Sequence, residues 1–399
     1  MTHVMSRSAL KANAGKTRTH RISERPPFDC VALVLQGGGA LGAYQGGVYQ
    51  GLAEAGLHPD WVAGISIGAI NAALIAGNPP EQRVARLREF WELITANPGD
   101  PWLNGIASMT RGNLMRGAFS QMAATNALMN GAPGFFKPRQ PNPWLHARGT
   151  VEATSYYDTT PLRQTLERLV DFDRINAGQM RFSVGAVNVR TGNFAYFNAG
   201  THHIGPQHIM ASGALPPGFA AVEIDGEHYW DGGLVSNTPL EWVVERDGRE
   251  DMLIFQIDLW NARGECPASI ADVMTREKEI QFSSRTRAAT NAVRRRRKLG
   301  SALASLLERV PAELKSGPEM HMIEEAADLS VCNIIHLIHR AQSFEGQSKD
   351  YEFSRLAMEE HWSAGYHDAI RTLRHPEVLR RPSTLDGIFT FDLAVDGRE

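Results

Sequence analysis

Five consecutive residues, Gly64-Ile65-Ser66-Ile67-Gly68, restrict this chain more than any others. They follow the apolar run Trp61-Val62-Ala63 and lead into small and apolar residues that continue to Ala76. A strand is therefore expected to turn sharply into a helix with Ser66 at the bend. Such a turn needs small neighbours, because the backbone doubles back on itself and the hydroxyl must protrude. The same pattern also fits an ordinary turn serine, so its meaning depends on what else reaches that edge of the fold.

A similar unit precedes it. The apolar run Asp29-Cys30-Val31-Ala32-Leu33-Val34-Leu35 predicts a buried strand, and the helical spacing of Tyr44, Val48, Leu52 and Ala55 predicts a helix that stops at Gly56. Between them lies Gly37-Gly38-Gly39-Ala40-Leu41-Gly42, whose backbone N–H groups suit either a phosphate or an acyl oxyanion. A dinucleotide loop wants an acid at the end of the second strand; here Asp60 precedes that strand and Ser66 follows it, which favours the oxyanion. Strand, glycine loop, helix, strand, bend, helix is how a parallel α/β sheet begins, with both loops at one edge.

A hydroxyl needs a base. Val222 to Trp230 has the pattern of a hairpin turning at Asp225-Gly226, which puts Asp231-Gly232-Gly233 just past a strand end. Asp231 is either the aspartate of a glycine turn or the group that takes the proton of Ser66. Further helices are expected over 83–94, 160–170 and 351–373, paired strands over 181–197, and buried strands over 253–259 and 331–338. Residues 98–149 are rich in Gly, Pro, Asn, Met and aromatic residues and read as a lid or insertion. Met109, Met115, Phe119, Met122, Met129, Phe135 and Phe136 are candidates for an apolar wall beside an acyl chain, although core packing is the commoner fate of such residues.

The domain expectation is a basic tail over 1–27, mobile and lacking the apolar stretch of a secretory signal, a catalytic domain over 28–265, and a mostly helical extension over 266–399 packed on it. With 399 residues, 43% apolar and 21% charged, the chain has the composition of a soluble globular protein, and its net charge of -3 offers no global field for nucleic acid. No run of about 18 apolar residues suggests a membrane-spanning helix. Cytoplasmic residence is the expectation, with peripheral attachment at a membrane open. Cys30, Cys266 and Cys332 are too scattered for a metal motif and read as reduced, buried thiols. Histidines 202, 203, 208, 336 and 339 lack metal-ligand spacing and read as surface or core residues; no metal or cofactor is expected. A triad with a later histidine stays open on chain order. Arg294 to Lys298 reads as a solvated helix face, with anionic lipid head groups as the alternative partner.

Taken together, Gly37-Gly38-Gly39-Ala40-Leu41-Gly42, Gly64-Ile65-Ser66-Ile67-Gly68 and Asp231-Gly232-Gly233 resemble, in type and order, the three signatures of patatin-like phospholipases. Ala211 to Phe219 and Leu234 to Pro239 are similar to that family as well, and the resemblance covers about residues 29 to 260. It implies a three-layer α/β sandwich with a mainly parallel central sheet. It also implies a Ser66-Asp231 dyad without histidine, and hydrolysis of lipid acyl esters through an acyl-enzyme. The amides of Gly37, Gly38, Gly39, Ala40 and Ile67 would form the oxyanion hole, with Gly42, Gly64, Gly68, Gly232 and Gly233 completing the motifs. Leu41 departs from the family, many of whose members carry Arg or Lys there, which removes one source of help for an anionic head group. The region after 265, through Tyr351-Glu352-Phe353-Ser354-Arg355, resembles an extension found in bacterial members. An acyltransferase using the same serine, or a catalytically silent membrane-docking protein, are the competing readings. Oligomeric state is not legible.

Overall fold

The computed structural model describes residues 19–96, 113–245, 250–283, 286–311, 317–342, 345–382 and 388–392. In chain order it contains β1 (Cys30–Leu35), a 3₁₀ turn (Gly39–Gly42), α1 (Ala43–Glu54), β2 (Trp61–Ile65), α2 (Ile67–Ala76), α3 (Pro80–Ile94) and α4 (Asn113–Asn130). A two-stranded ribbon of β3 (Lys137–Pro138) and β4 (Tyr157–Asp158) comes next, then α5 (Thr160–Leu169) and α6 (Phe172–Asn176). These lead to β5 (Arg181–Asn188), β6 (Phe194–Asn198), α7 (Pro206–Ser212), β7 (Val222–Ile224), β8 (Glu227–Asp231), α8 (Leu240–Glu245) and β9 (Met252–Asp258). The chain then forms α9 (Ile270–Phe282), α10 (Thr286–Leu307), α11 (Pro318–Ala326), β10 (Cys332–Ile338), α12 (Arg355–Leu373) and β11 (Ile388–Phe391).

One nine-stranded sheet organises these elements in the order β11-β10-β9-β1-β2-β5-β8-β7, with β6 paired to β5. Strands β11 through β5 run parallel, and β5–β8, β5–β6 and β7–β8 are antiparallel. The central strands β1, β2 and β9 are buried at every position, which is why they appear in the sequence as unbroken apolar runs rather than alternating ones. Helices cover both faces, giving the expected three-layer α/β sandwich with a mainly parallel sheet.

The predicted strand over 331–338 is β10, and it pairs with β9 from Cys332 to Ile338, so the region after 265 supplies strands to the main sheet. It also supplies α12, which packs along α1. A Cβ on Gly47 would lie 1.9 Å from the Trp362 carbonyl oxygen, and one on Gly365 would lie 2.0 Å from that of Tyr44. The two backbones touch because Gly47 and Gly365 carry no side chain there, while the Trp362 ring packs over Gly46.

Three expectations need correction. Residues 19–27 of the expected tail are docked: Ile22 N–H donates to the Ala55 carbonyl at 3.1 Å and Arg25 pairs with Asp60, while residues 1–18 lie outside the described set. Cys266 is exposed; Cys30 and Cys332 are buried, and burial pushes both thiols up to about 12. The run Arg294 to Lys298 is not uniformly solvated, because Arg297 is buried and paired with Asp328 and Ser330. Among the described residues no helix is long and apolar enough to cross a membrane.

Candidate active site

The end of β2 and the start of α2 form the sharp bend that the five-residue pattern predicts. Ser66 sits at φ 56° and ψ -124°, a conformation that L-residues rarely adopt and that places the side chain outward from the turn. The flanking glycines are sterically required. A Cβ on Gly64 would stand 2.2 Å from the Gly68 carbonyl oxygen, and one on Gly68 would stand 2.4 Å from that of Leu35. The bend is pinned from behind by Ser212 on α7, whose hydroxyl accepts the Ser66 N–H at 3.0 Å and donates to the Gly185 carbonyl at 2.6 Å. Ser212 thus ties the strained residue to β5.

Asp231 ends β8, opposite Ala186 of β5, and is only 2% exposed. Its Oδ1 accepts the Gly233 N–H at 2.7 Å, and its carboxylate faces the Ser66 hydroxyl closely enough to be stabilised by hydrogen bonding. Burial raises its pKa, these two donors oppose the rise, and the balance leaves it at about 6. Asp231 therefore stays ionised at neutral pH yet lies close enough to neutrality to accept a proton.

The glycine loop runs alongside. Gly37 N–H donates to the Asn237 carbonyl at 3.2 Å, and Ala40 N–H donates to the Asp350 carbonyl at 2.8 Å. Of the five amides expected to hold an oxyanion, these two are already engaged; the amides of Gly38, Gly39 and Ile67 have no acceptor among the described residues. Asn237 holds the loop a second way, its side-chain N–H donating to the Gly37 carbonyl at 2.9 Å.

Ser66, Asp231, Gly37, Gly38, Gly39, Ile67 and Gly233 all line one apolar cleft of about 320 Å³, within the usual range for a small-molecule site. Ala40, Gly42, Gly64, Gly68 and Gly232 are not among its lining residues. One wall is an aromatic cluster of Phe135, Phe136, Tyr157, Phe219 and Phe353, with ring centroids 4.9–6.1 Å apart. Phe135 and Phe136 thus reach the cleft, whereas Met115, Met122 and Met129 on α4 point to solvent, and Met109 lies outside the described residues. Leu41 is fully buried away from the cleft, and the only basic side chain among the described lining residues is Lys278, which is paired with Asp350.

No histidine is among the residues lining the cleft. His202, His203 and His208 border a separate pocket, and His336 is half-buried near Asp258, 3.9 Å away. Among the described residues one cluster has metal-ligating chemistry, His339, Glu345 and His361, all buried. Glu345 accepts a hydrogen bond from His361 at 2.7 Å, and the ion pair raises the His361 pKa against burial while holding the Glu345 carboxyl below its ordinary range. None of the three lines the cleft.

A strained serine at a strand-to-helix bend, a buried carboxylate facing it and unengaged amides beside it thus share one cleft of an α/β fold. Comparison with known proteins makes this specific. A family model described as patatin-like phospholipase matches residues 33–243, and the chain belongs to that family. A second model, described as patatin phospholipase, matches residues 280–385. An uncharacterised NTE family protein of Mycobacterium tuberculosis is 36% identical over 131 residues, which are 30% of this chain and 21% of that protein. Lysophospholipase nte1 of Aspergillus terreus is 51% identical over 57 residues, 14% of this chain and 4% of the other. The chain therefore spans about a fifth or less of the length of these curated relatives. Among solved structures, VipD of Legionella pneumophila is 15% identical with a TM-score of 0.40, covering 97% of this chain and 78% of its own. ExoU of Pseudomonas aeruginosa, solved with SpcU, is 16% identical with a TM-score of 0.29, covering 76% and 68%.

Proposed function

We propose that the chain hydrolyses acyl esters of lipids through a Ser66-Asp231 dyad. Ser66 Oγ attacks the acyl carbonyl as its proton passes to Asp231, and the amides of Gly38, Gly39 and Ile67 hold the oxyanion of the tetrahedral intermediate. Asp231 returns the proton to the leaving alcohol, giving an acyl-Ser66 ester. Asp231 then takes a proton from water, which attacks that ester, and returning the proton to Ser66 frees the fatty acid. The observation that carries this reading is the buried Asp231 carboxylate, raised to about 6 and facing Ser66 in a cleft with no histidine among its lining residues.

The lipid substrate is supported by family membership, by the name lysophospholipase of one relative, and by the aromatic wall formed around Phe135 and Phe136. Lys278 is neutralised by Asp350 and Leu41 is buried, so recognition rests on the acyl chain rather than on an anionic head group. Leu128, which lines the cleft, and Leu234 and Val235, which follow the Asp231 motif, are exposed and would meet a lipid surface at the periphery of a membrane.

A fluorophosphonate probe should label Ser66, and a panel from short-chain esters to phospholipids should be cleaved by the parent chain but not by Ser66→Ala. Hydrolysis by a folded Ser66→Ala at the parent rate refutes the dyad. Transfer of the acyl group to an added alcohol in preference to water replaces hydrolase with acyltransferase.

A further inference from the structure

Within residues 345–354, beyond the 33–243 match and inside the 280–385 one, the backbone returns to the cleft and contacts the glycine loop. The Asp350 carbonyl accepts the Ala40 N–H at 2.8 Å. Gly39, at φ +56°, leaves no room for a side chain there, since a Cβ would lie 2.0 Å from that same carbonyl oxygen. The Asp350 side chain is in turn gripped by Lys278 of α9, whose Nζ donates to both carboxylate oxygens at 2.6 and 2.7 Å and to the Gln347 carbonyl at 3.1 Å.

The neighbouring residues repeat the pattern. Lys349 pairs with Glu279 at 2.7 Å, and its ammonium lies 5.3 Å from the Trp260 ring, whose indole N–H donates to the Gly37 carbonyl at 3.0 Å. The glycine loop is thus held at two points, at Gly37 through Trp260 and at Ala40 through Asp350. Between them are Gly38 and Gly39, whose amides have no other acceptor among the described residues.

We propose that Asp350 is a positioning residue for the oxyanion loop, held in place by its ion pair with Lys278, so that the C-terminal region completes the site. This rests on the reading of Ser66 and Asp231 as the dyad. The Asp350–Lys278 latch fixes the glycine-loop donors where negative charge develops, while the acyl chain is bound by the aromatic wall. Its loss therefore lowers turnover more than substrate affinity, and a displacement of about 1 Å at such a site is worth up to about a hundredfold.

The test uses the full chain, p-nitrophenyl butyrate, and end-point titration with a fluorophosphonate to count competent serines. Lys278→Met and Asp350→Asn should lower kcat per titrated serine at least about tenfold with KM within about twofold. Lys278→Arg should regain most of the loss. A merely structural brace would lower the melting temperature and the number of competent serines without changing kcat per serine, and that result overturns the proposal, as does an unchanged kcat. Asp350→Asn keeps the side-chain shape and the backbone carbonyl, so it remains decisive if Lys278→Met does not fold. Ser66→Ala is assayed alongside. Full activity there refutes the dyad reading itself, whereas an inert Ser66→Ala beside fully active latch variants refutes only the role of Asp350.

Discussion

Replacing Asp231 by Asn is expected to stabilise the protein while abolishing turnover. The carboxyl titrates at about 6 in the fold against an ordinary 3.8, because burial outweighs the donors from Ser66 and Gly233. Its folded value is raised, so the stabilisation that comes from binding the proton is fully present below about 3.8 and is lost as pH rises through about 6. Above that, the ionised buried group costs about 3 kcal/mol at 1.36 kcal/mol per pH unit. Asn carries no charge and can still accept from the Gly233 N–H and donate to Ser66 Oγ. At pH 7.5 the variant should therefore melt about 5 °C higher than the parent, and the difference should shrink towards pH 4. Thermal melts of both proteins at pH 4.0, 5.0, 6.0 and 7.5, with ester assays across the same series, measure this. Parent kcat/KM should fall about tenfold per pH unit below about 6 as the base is protonated. An Asn variant that is no more stable at pH 7.5, or whose gain does not change with pH, refutes the burial account of Asp231.

Two further outcomes follow from packing. Gly47→Ala puts a methyl 1.9 Å from the Trp362 carbonyl oxygen, so α1 and α12 must separate; overpacking of this kind costs about 1–3 kcal/mol, visible as a lower urea midpoint with an unchanged slope. Phe136→Asn places a polar group in the aromatic wall, so kcat/KM should fall more for a ten-carbon than for a four-carbon ester; equal losses on both would remove Phe136 from acyl recognition.

How much of this was legible depends on whether the cause is local. The strands β1, β2 and β9 and the Ser66 bend were readable because burial on both faces writes an unbroken apolar run, and a backbone reversal writes glycines at 64 and 68. The 98–149 segment was readable only in part: Phe135 and Phe136 reach the cleft, yet the methionines of α4 face solvent, a choice of side made by tertiary packing rather than by residue type. Ser212 could not be singled out, since a serine in a small-residue stretch acquires its role only when β5 lies beside β2. Asp350 is harder still to find, because the atom that meets the glycine loop is a backbone carbonyl and every residue has one. Its partner Lys278 lies 72 positions away and looks like any helix charge. The clue that existed was in the loop itself. Gly39 takes φ +56°, which favours glycine locally, and in the fold the Asp350 carbonyl also fills the space its missing side chain leaves. In this chain the glycine loop is thus evidence both for the ligand it would cradle and for a second segment packed against its other side.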